Sequence, residues 1–211
     1  MTVAEKTRER ILRHGMDLLS QAGLSGVTLG VLAERVGMSK SGLFAHFRSK
    51  DEVQIGLLDH VEEFAYERVI APAMEAAPGL PRLEVLFAQW CGWAQRAGLP
   101  GGCPVAAGLF ELDDVDGPVR DKVFSMQTGW RGLLSGLIVE AINEGHFRKD
   151  LDVEQFIWEL NGIYLSHHAS HRFLRDKEAD ARAQTAFRAL VDRAKPLARP
   201  KAAVVKKTGR K

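Results

Sequence analysis

Between Val27 and Glu52 the chain places apolar residues at helical spacing twice, each time just after a capping residue. In VTLGVLAERVG, Thr28 stands where an N-cap hydroxyl accepts from the open N–H groups of a first turn, and Val27 and Leu32 have hydrophobic-staple spacing. Leu29, Leu32, Ala33 and Val36 fall at i, i+3, i+4 and i+7, one apolar face. Gly37 follows, a residue that tolerates the left-handed backbone of a helix end. The pattern then restarts with Ser39 as N-cap, Met38 and Leu43 as staple, and Leu43, Phe44 and Phe47 as the inner side. Lys40, Ser41, Gly42, Ala45 and His46 are left outward, and Ser49-Lys50-Asp51-Glu52 is a capping box opening the next helix. Helix, tight turn and short helix with small polar residues at its start predict a helix-turn-helix.

The same periodicity predicts an all-α chain of about nine helices, with no alternation long enough for a strand. A first helix runs from Val3 to Ala22, with Ile11, Leu12, Gly15, Leu18, Leu19 and Ala22 inside and Gly23 as its stop. Helix four starts at Ser49 and carries Val53, Leu57, Leu58, Val61, Phe64 and Ala65 inward, until Pro72 kinks or stops it. Further helices are expected over Arg82 to Ala97, Val105 to Leu112, Pro118 to Glu144, Val153 to Arg175 and Glu178 to Ala194. The division is residues 1–48 for the helix-turn-helix head, 49–195 for a helical body and 196–211 for a disordered basic tail. Helix four is then the expected mechanical link between head and body.

The stretch SKSGLFAHFRSKDE, Ser39 to Glu52, resembles the recognition helix and helix-four start of the TetR family of bacterial transcriptional regulators. The amphipathic first helix and the helical remainder agree with that family's two-part build. The resemblance implies that Thr28, Lys40, His46 and Lys50 contact the DNA backbone, with Ser39, Ser41 and Gly42 nearest the major groove. Phe44 stands where the family often has a tyrosine whose hydroxyl reaches a phosphate, and Gly42 replaces a commoner side chain. The resemblance also implies a homodimer built from the last two long helices, to which Ile157, Leu160, Tyr164 and Leu190 are assigned.

Charge sharpens this picture. The net charge is only +2, yet eight bases face four acids up to Lys50, and seven bases follow from Lys195 with no acid. The middle is therefore acidic: a basic reader of DNA carried by a body that avoids it. An apolar share of 45% is ordinary for a soluble protein, and no run approaches the ~18 apolar residues of a membrane span. The charged, amphipathic start lacks an apolar signal core, so a cytoplasmic location without membrane association is expected.

Candidate chemistry lies in the body. Phe87, Trp90, Trp93, Phe110, Met126, Trp130, Phe156 and Trp158 recur there, and aromatic-lined clefts between helices take small, mostly apolar molecules. Core packing is the competing fate of each aromatic. Glu111 and Gln89 are the polar anchors proposed for such an effector. His167 and His171 have i, i+4 spacing but no third ligand at motif distance, so no metal is expected. The bland reading of His167, His168 and His171 is a polar patch facing another subunit. Cys91 and Cys103 are expected as reduced thiols; Cys103, in GGCP, is either inert or a sensor of oxidants or electrophiles. No catalytic motif appears and no cofactor is called for. The reading is a repressor, not an enzyme, that leaves a near-palindromic operator when a small effector binds. An architectural DNA binder or a helical small-molecule enzyme are the alternatives.

Overall fold

The structure, a computed structural model, describes residues 2–197. The regular elements among them are helical: α1 Val3–Gly26, α2 Leu29–Val36, α3 Lys40–Phe44, α4 Lys50–Ala65, α5 Ala71–Met74, α6 Leu80–Trp90, α7 Trp93–Arg96, α8 Pro104–Glu111, α9 Pro118–Asn143, α10 Val153–Arg172 and α11 Ala179–Ala194. The expected basic tail lies, from residue 198 onward, outside the described residues.

In the head, Thr28, Ser39 and Ser49 each accept a backbone N–H three residues on, at 3.0 to 3.2 Å, which fixes where α2, α3 and α4 start. Ile11, Leu19, Leu32, Leu43 and Phe47 are fully buried between α1, α2, α3 and the start of α4. Phe44, expected on the inner side, is 47% exposed. A five-residue α3 has room for one buried stripe, and Leu43 with Phe47 fills it.

Three boundaries differ from the sequence expectation. Regular helix in α1 breaks at Gly23 (φ 69°, ψ −176°), as expected, but one more turn runs on to Gly26. Pro72 does not stop the α4 path outright: a π turn over Tyr66–Ile70 precedes it, Ala71 donates to the Tyr66 carbonyl, and helix runs on through Pro72 to Met74. Widening the turn before a proline, whose ring crowds the preceding carbonyls, lets the helical path continue into α5. The single helix expected from Arg82 to Ala97 is two, α6 and α7, broken at Gly92 (φ +73°). Arg96 holds the break by donating to the carbonyls of Ala88, Gln89 and Cys91.

In the body, α10 packs along α11, and α9 along α4, α6 and α10. Phe87 stacks on Phe187 at 4.0 Å, and Phe147 meets Phe156 at 5.3 Å with the rings tilted by 43°. Ile157, Leu160, Tyr164 and Leu190, expected at a subunit interface, are 0 to 6% exposed within the single chain. They are core residues. The outward side of α10 and α11 is another stripe, a groove lined by Trp158, Gly162, Ile163, Ser166, Ala186 and Ala189 among others.

Candidate functional site

The candidate DNA face lies where α2 ends its first turn and α3 begins. Ser39 Oγ holds the Gly42 N–H at 3.0 Å and lies 3.0 Å from Ser41 Oγ, so the two hydroxyls form one polar knob at the start of α3. The Lys40 stem crosses α2 at Gly30, where an added Cβ would sit 3.1 Å from Lys40 Cε and 3.5 Å from its ammonium. Thr28, Ser39, Lys40, Ser41, Phe44 and Lys50 are exposed, and Gly42 and His46 half-buried. Arg8 NH1 donates to the His46 carbonyl at 3.0 Å while its guanidinium stacks over Phe47, pinning the end of α3 to α1. Among the described residues, Lys40 and Lys50 have no acidic partner. Unpaired lysines flanking a short helix with small hydroxyls suit a phosphate-clamped recognition element.

A cavity of about 530 Å³ opens in the body. Its walls come from α4 and the π turn (Val61, Tyr66, Val69, Ile70), α6 and α7 (Trp90, Trp93), α8 (Val105, Ala106, Leu109), α9 (Met126, Trp130, Leu133) and α10 (Asn161, Tyr164, Leu165). Trp90 stacks on Tyr164 at 4.1 Å and meets Trp130 at 4.7 Å, giving flat aromatic surfaces. Trp90, Trp93, Met126 and Trp130 are thus brought to one cavity, and the sequence reading placed all four in an effector site. It also placed Phe87, Phe110 and Trp158 there, and these lie elsewhere. Phe87 is buried against Phe187, while Phe110 and Trp158 are 66% and 68% exposed on outer faces. Phe156, in the same aromatic set, packs on Phe147.

Gln89 and Glu111, proposed as polar anchors, do not line the cavity. The Glu111 carboxylate instead crosses to the head, accepting from the Leu24 N–H at 3.2 Å and from the Ser25 N–H and hydroxyl at 2.9 Å. Gly23 makes the approach possible, because a Cβ there would lie 2.1 Å from Glu111 Oε1. Just before α8, Gly101 and Gly102 donate to the Ser20 hydroxyl and carbonyl at 3.1 and 2.9 Å. Gln54 of α4, buried, donates to the Leu24 carbonyl at 2.5 Å. The head is therefore tied to the body by α8 as well as by α4. Pairings across 81 to 87 residues of chain carry no signal in local sequence.

Burial pushes the Cys91 thiol up to about 12, which leaves it protonated and inert. Cys103 is also buried, on the cavity wall beside Tyr164. His167 Nε2 lies 2.7 Å from Asp180, and no cluster able to hold a metal exists among the described residues.

This geometry defines a class: a helix-turn-helix protein whose helical body encloses an aromatic cavity. Residues 11–54 match the bacterial regulatory proteins of the tetR family, and residues 79–187 match the Tetracyclin repressor-like C-terminal domain. The chain belongs to the TetR family of bacterial transcriptional regulators. A TetR transcriptional regulator from Chloroflexus aurantiacus superposes with TM-score 0.80 at 22% identity, over 91% of this chain and 96% of that one. AibR, solved with isovaleryl coenzyme A and operator DNA, superposes with TM-score 0.68 at 18% identity, over 90% and 98%. Among curated relatives, the nucleoid occlusion factor SlmA of Marinomonas sp. is 29% identical over 96 residues, 46% of this chain and 48% of the relative. The chain thus spans about half the length of the first such relatives. SlmA of Vibrio vulnificus is 28% identical over 172 residues, 80% of this chain and 84% of the relative.

Proposed function

We propose that the chain is a cytoplasmic, homodimeric transcriptional repressor that leaves a near-palindromic operator when a small, mostly apolar effector fills the 530 Å³ cavity. The observation that carries this reading is α8. Its Val105, Ala106 and Leu109 form cavity wall, while its last residue, Glu111, grips the end of α1. A ligand that displaces α8 or the π turn after α4 shifts the two attachments of the head together. Two heads reading successive major-groove faces must stay about 34–36 Å apart, so a small pivot breaks the match. The effector must prefer the non-binding geometry, and the operator disfavours effector by the same factor.

In this reading Thr28, Lys40, His46 and Lys50 hold phosphates and Ser39, Ser41 and Gly42 face base edges. Phe44 adds an apolar contact beside Lys40, four residues before it on α3. Trp90, Trp93, Met126 and Trp130 meet the effector. AibR was solved with both an acyl-coenzyme A and operator DNA, which supports two-ligand regulation on this fold. The likeness to nucleoid occlusion factors leaves an architectural DNA binder as the alternative, but an aromatic cavity coupled to the head favours a ligand-responsive regulator.

Footprinting on the operator tests the reading. Lys40→Ala and Lys50→Ala should weaken binding to all sequences alike and each flatten the salt dependence by about one unit of slope. Ser41→Ala should alter sequence preference instead. Unchanged slopes in both lysine variants place the DNA face elsewhere.

A further inference from the structure

The polar atoms of the cavity constrain what enters it. Glu62 and Arg131 are the charged residues of its lining, and both are paired within the protein. Lys122 Nζ lies 2.7 Å from Glu62 and 2.7 Å from Asp59, and Arg131 lies 2.7 Å from Glu154. These pairs already neutralise the charged groups of the lining, so the cavity offers an ionic ligand no unpaired counter-charge.

Asn161 carries the opposite signal. Its Nδ2 donates to the Ile157 carbonyl at 2.9 Å, and since a carbonyl only accepts, this bond fixes which end of the amide is which. Oδ1 is then left, on a residue of the cavity wall, with no donor among the described residues. Trp130, from the facing α9, has its indole Nε1 buried with no acceptor. One wall thus lacks a donor and the other an acceptor, and a hydroxyl is both. The flat surfaces of Trp90, Trp130 and Tyr164 suit a ring beside it.

We propose that the effector is an uncharged, flat, ring-bearing molecule with a hydroxyl group, a phenol or related ring alcohol, whose O–H donates to Asn161 Oδ1. The proposal rests on the reading of this cavity as the effector site. The indole N–H of Trp130, buried without an acceptor, turns to donate to the oxygen of that ligand hydroxyl when the ligand enters. Asn161 is the residue that sets specificity, and the aromatic walls supply affinity without discriminating.

A matched set of probes tests it: 4-phenylphenol, its methyl ether 4-methoxybiphenyl, and biphenyl-4-carboxylate, titrated calorimetrically into the full chain. The phenol should bind about tenfold tighter than the ether, the worth of one good hydrogen bond, and the carboxylate weakest. In Asn161→Leu, with its melting temperature checked, the phenol should fall to the affinity of the ether and the ether stay unchanged. Gly129 lines the cavity on α9 and an added Cβ there meets nothing within 4 Å, so Gly129→Phe should fill the space and abolish binding of the set. If phenol and ether bind alike, or Asn161→Leu keeps the preference, the hydroxyl inference is overturned and the cavity remains the effector site. A carboxylate that binds tightest overturns the uncharged class. If none of the three binds, or Gly129→Phe binds them all as before, the reading of the cavity falls as well.

Discussion

His168 lies between the Tyr164 ring, 6.4 Å away, and the backbone at Gly102, where an added Cβ would approach its Cε1 to 2.7 Å. Burial, then the neighbouring charges of Arg172, His167 and His171, hold its pKa below the ordinary 6.5. The unfolded chain therefore takes up a proton that the folded chain resists. That contribution to stability is whole above pH 6.5 and is lost as pH falls from there toward the folded value. Thermal unfolding followed from pH 7.5 to 5 should show a declining melting temperature, and His168→Asn should flatten the decline. A variant with an unchanged slope would trace the acid sensitivity to another group. The sequence displayed three histidines on one helical face and left their roles alike. The fold separates them, since His167 meets Asp180 while His168 packs under Gly102.

Among the elements, α8 is the one whose meaning changed most between sequence and structure. As a sequence it is a short apolar helix ending in an acid, and Glu111 looked like an anchor for a ligand. Folded, its acid completes the turn that α1 makes after Gly23, donating nothing and accepting three hydrogen bonds. Glu111→Ala should free the Leu24 and Ser25 amides, raising their hydrogen exchange well above that of Val31, whose amide Thr28 holds independently. The loss should amount to about 0.5–1.5 kcal/mol, since water can replace the carboxylate at the exposed Ser25 while the Leu24 amide is only partly buried. Operator affinity should fall because the head is then held by α4 and the Ser20 contacts alone. Unaltered exchange at Leu24 and Ser25 would remove α8 from the coupling route.

At the scale of the whole molecule, the proposed dimer requires a surface that receives a second copy. Leu160 was assigned to that interface by the family resemblance, yet it is 1% exposed in the isolated chain, whereas Trp158 is 68% exposed beside Gly162, Ala186 and Ala189. A helix that packs on its own chain along one stripe has only the remaining arc for a partner. Trp158→Glu should therefore split the proposed dimer into folded monomers in sedimentation, because it sets a charge in an apolar interface. Leu160→Glu should instead unfold the chain, with loss of helical circular dichroism. Folded monomers from Leu160→Glu, or an intact dimer from Trp158→Glu, would move the interface away from this groove.

The sequence by itself determined the features that depend on near neighbours in the chain. Caps at Thr28, Ser39 and Ser49, the face of α2 and the long helices α9, α10 and α11 all rest on contacts within one or two turns, and periodicity reports those directly. It also gathered Trp90, Trp93, Met126 and Trp130 as residues of the body that share apolar, largely aromatic chemistry. What periodicity could not separate is a stripe that faces the cavity from one that faces the core or a solvent groove, because all three are apolar at the same spacing. Only the packing of seven elements around one space sets Trp130 against Trp90 and leaves Trp158 outside. The break at Gly92, the π turn before Pro72 and the reach of Glu111 to Ser25 were likewise decided in three dimensions. Each balances a local backbone cost against partners distant in sequence, and no local pattern encodes a partner 86 residues away.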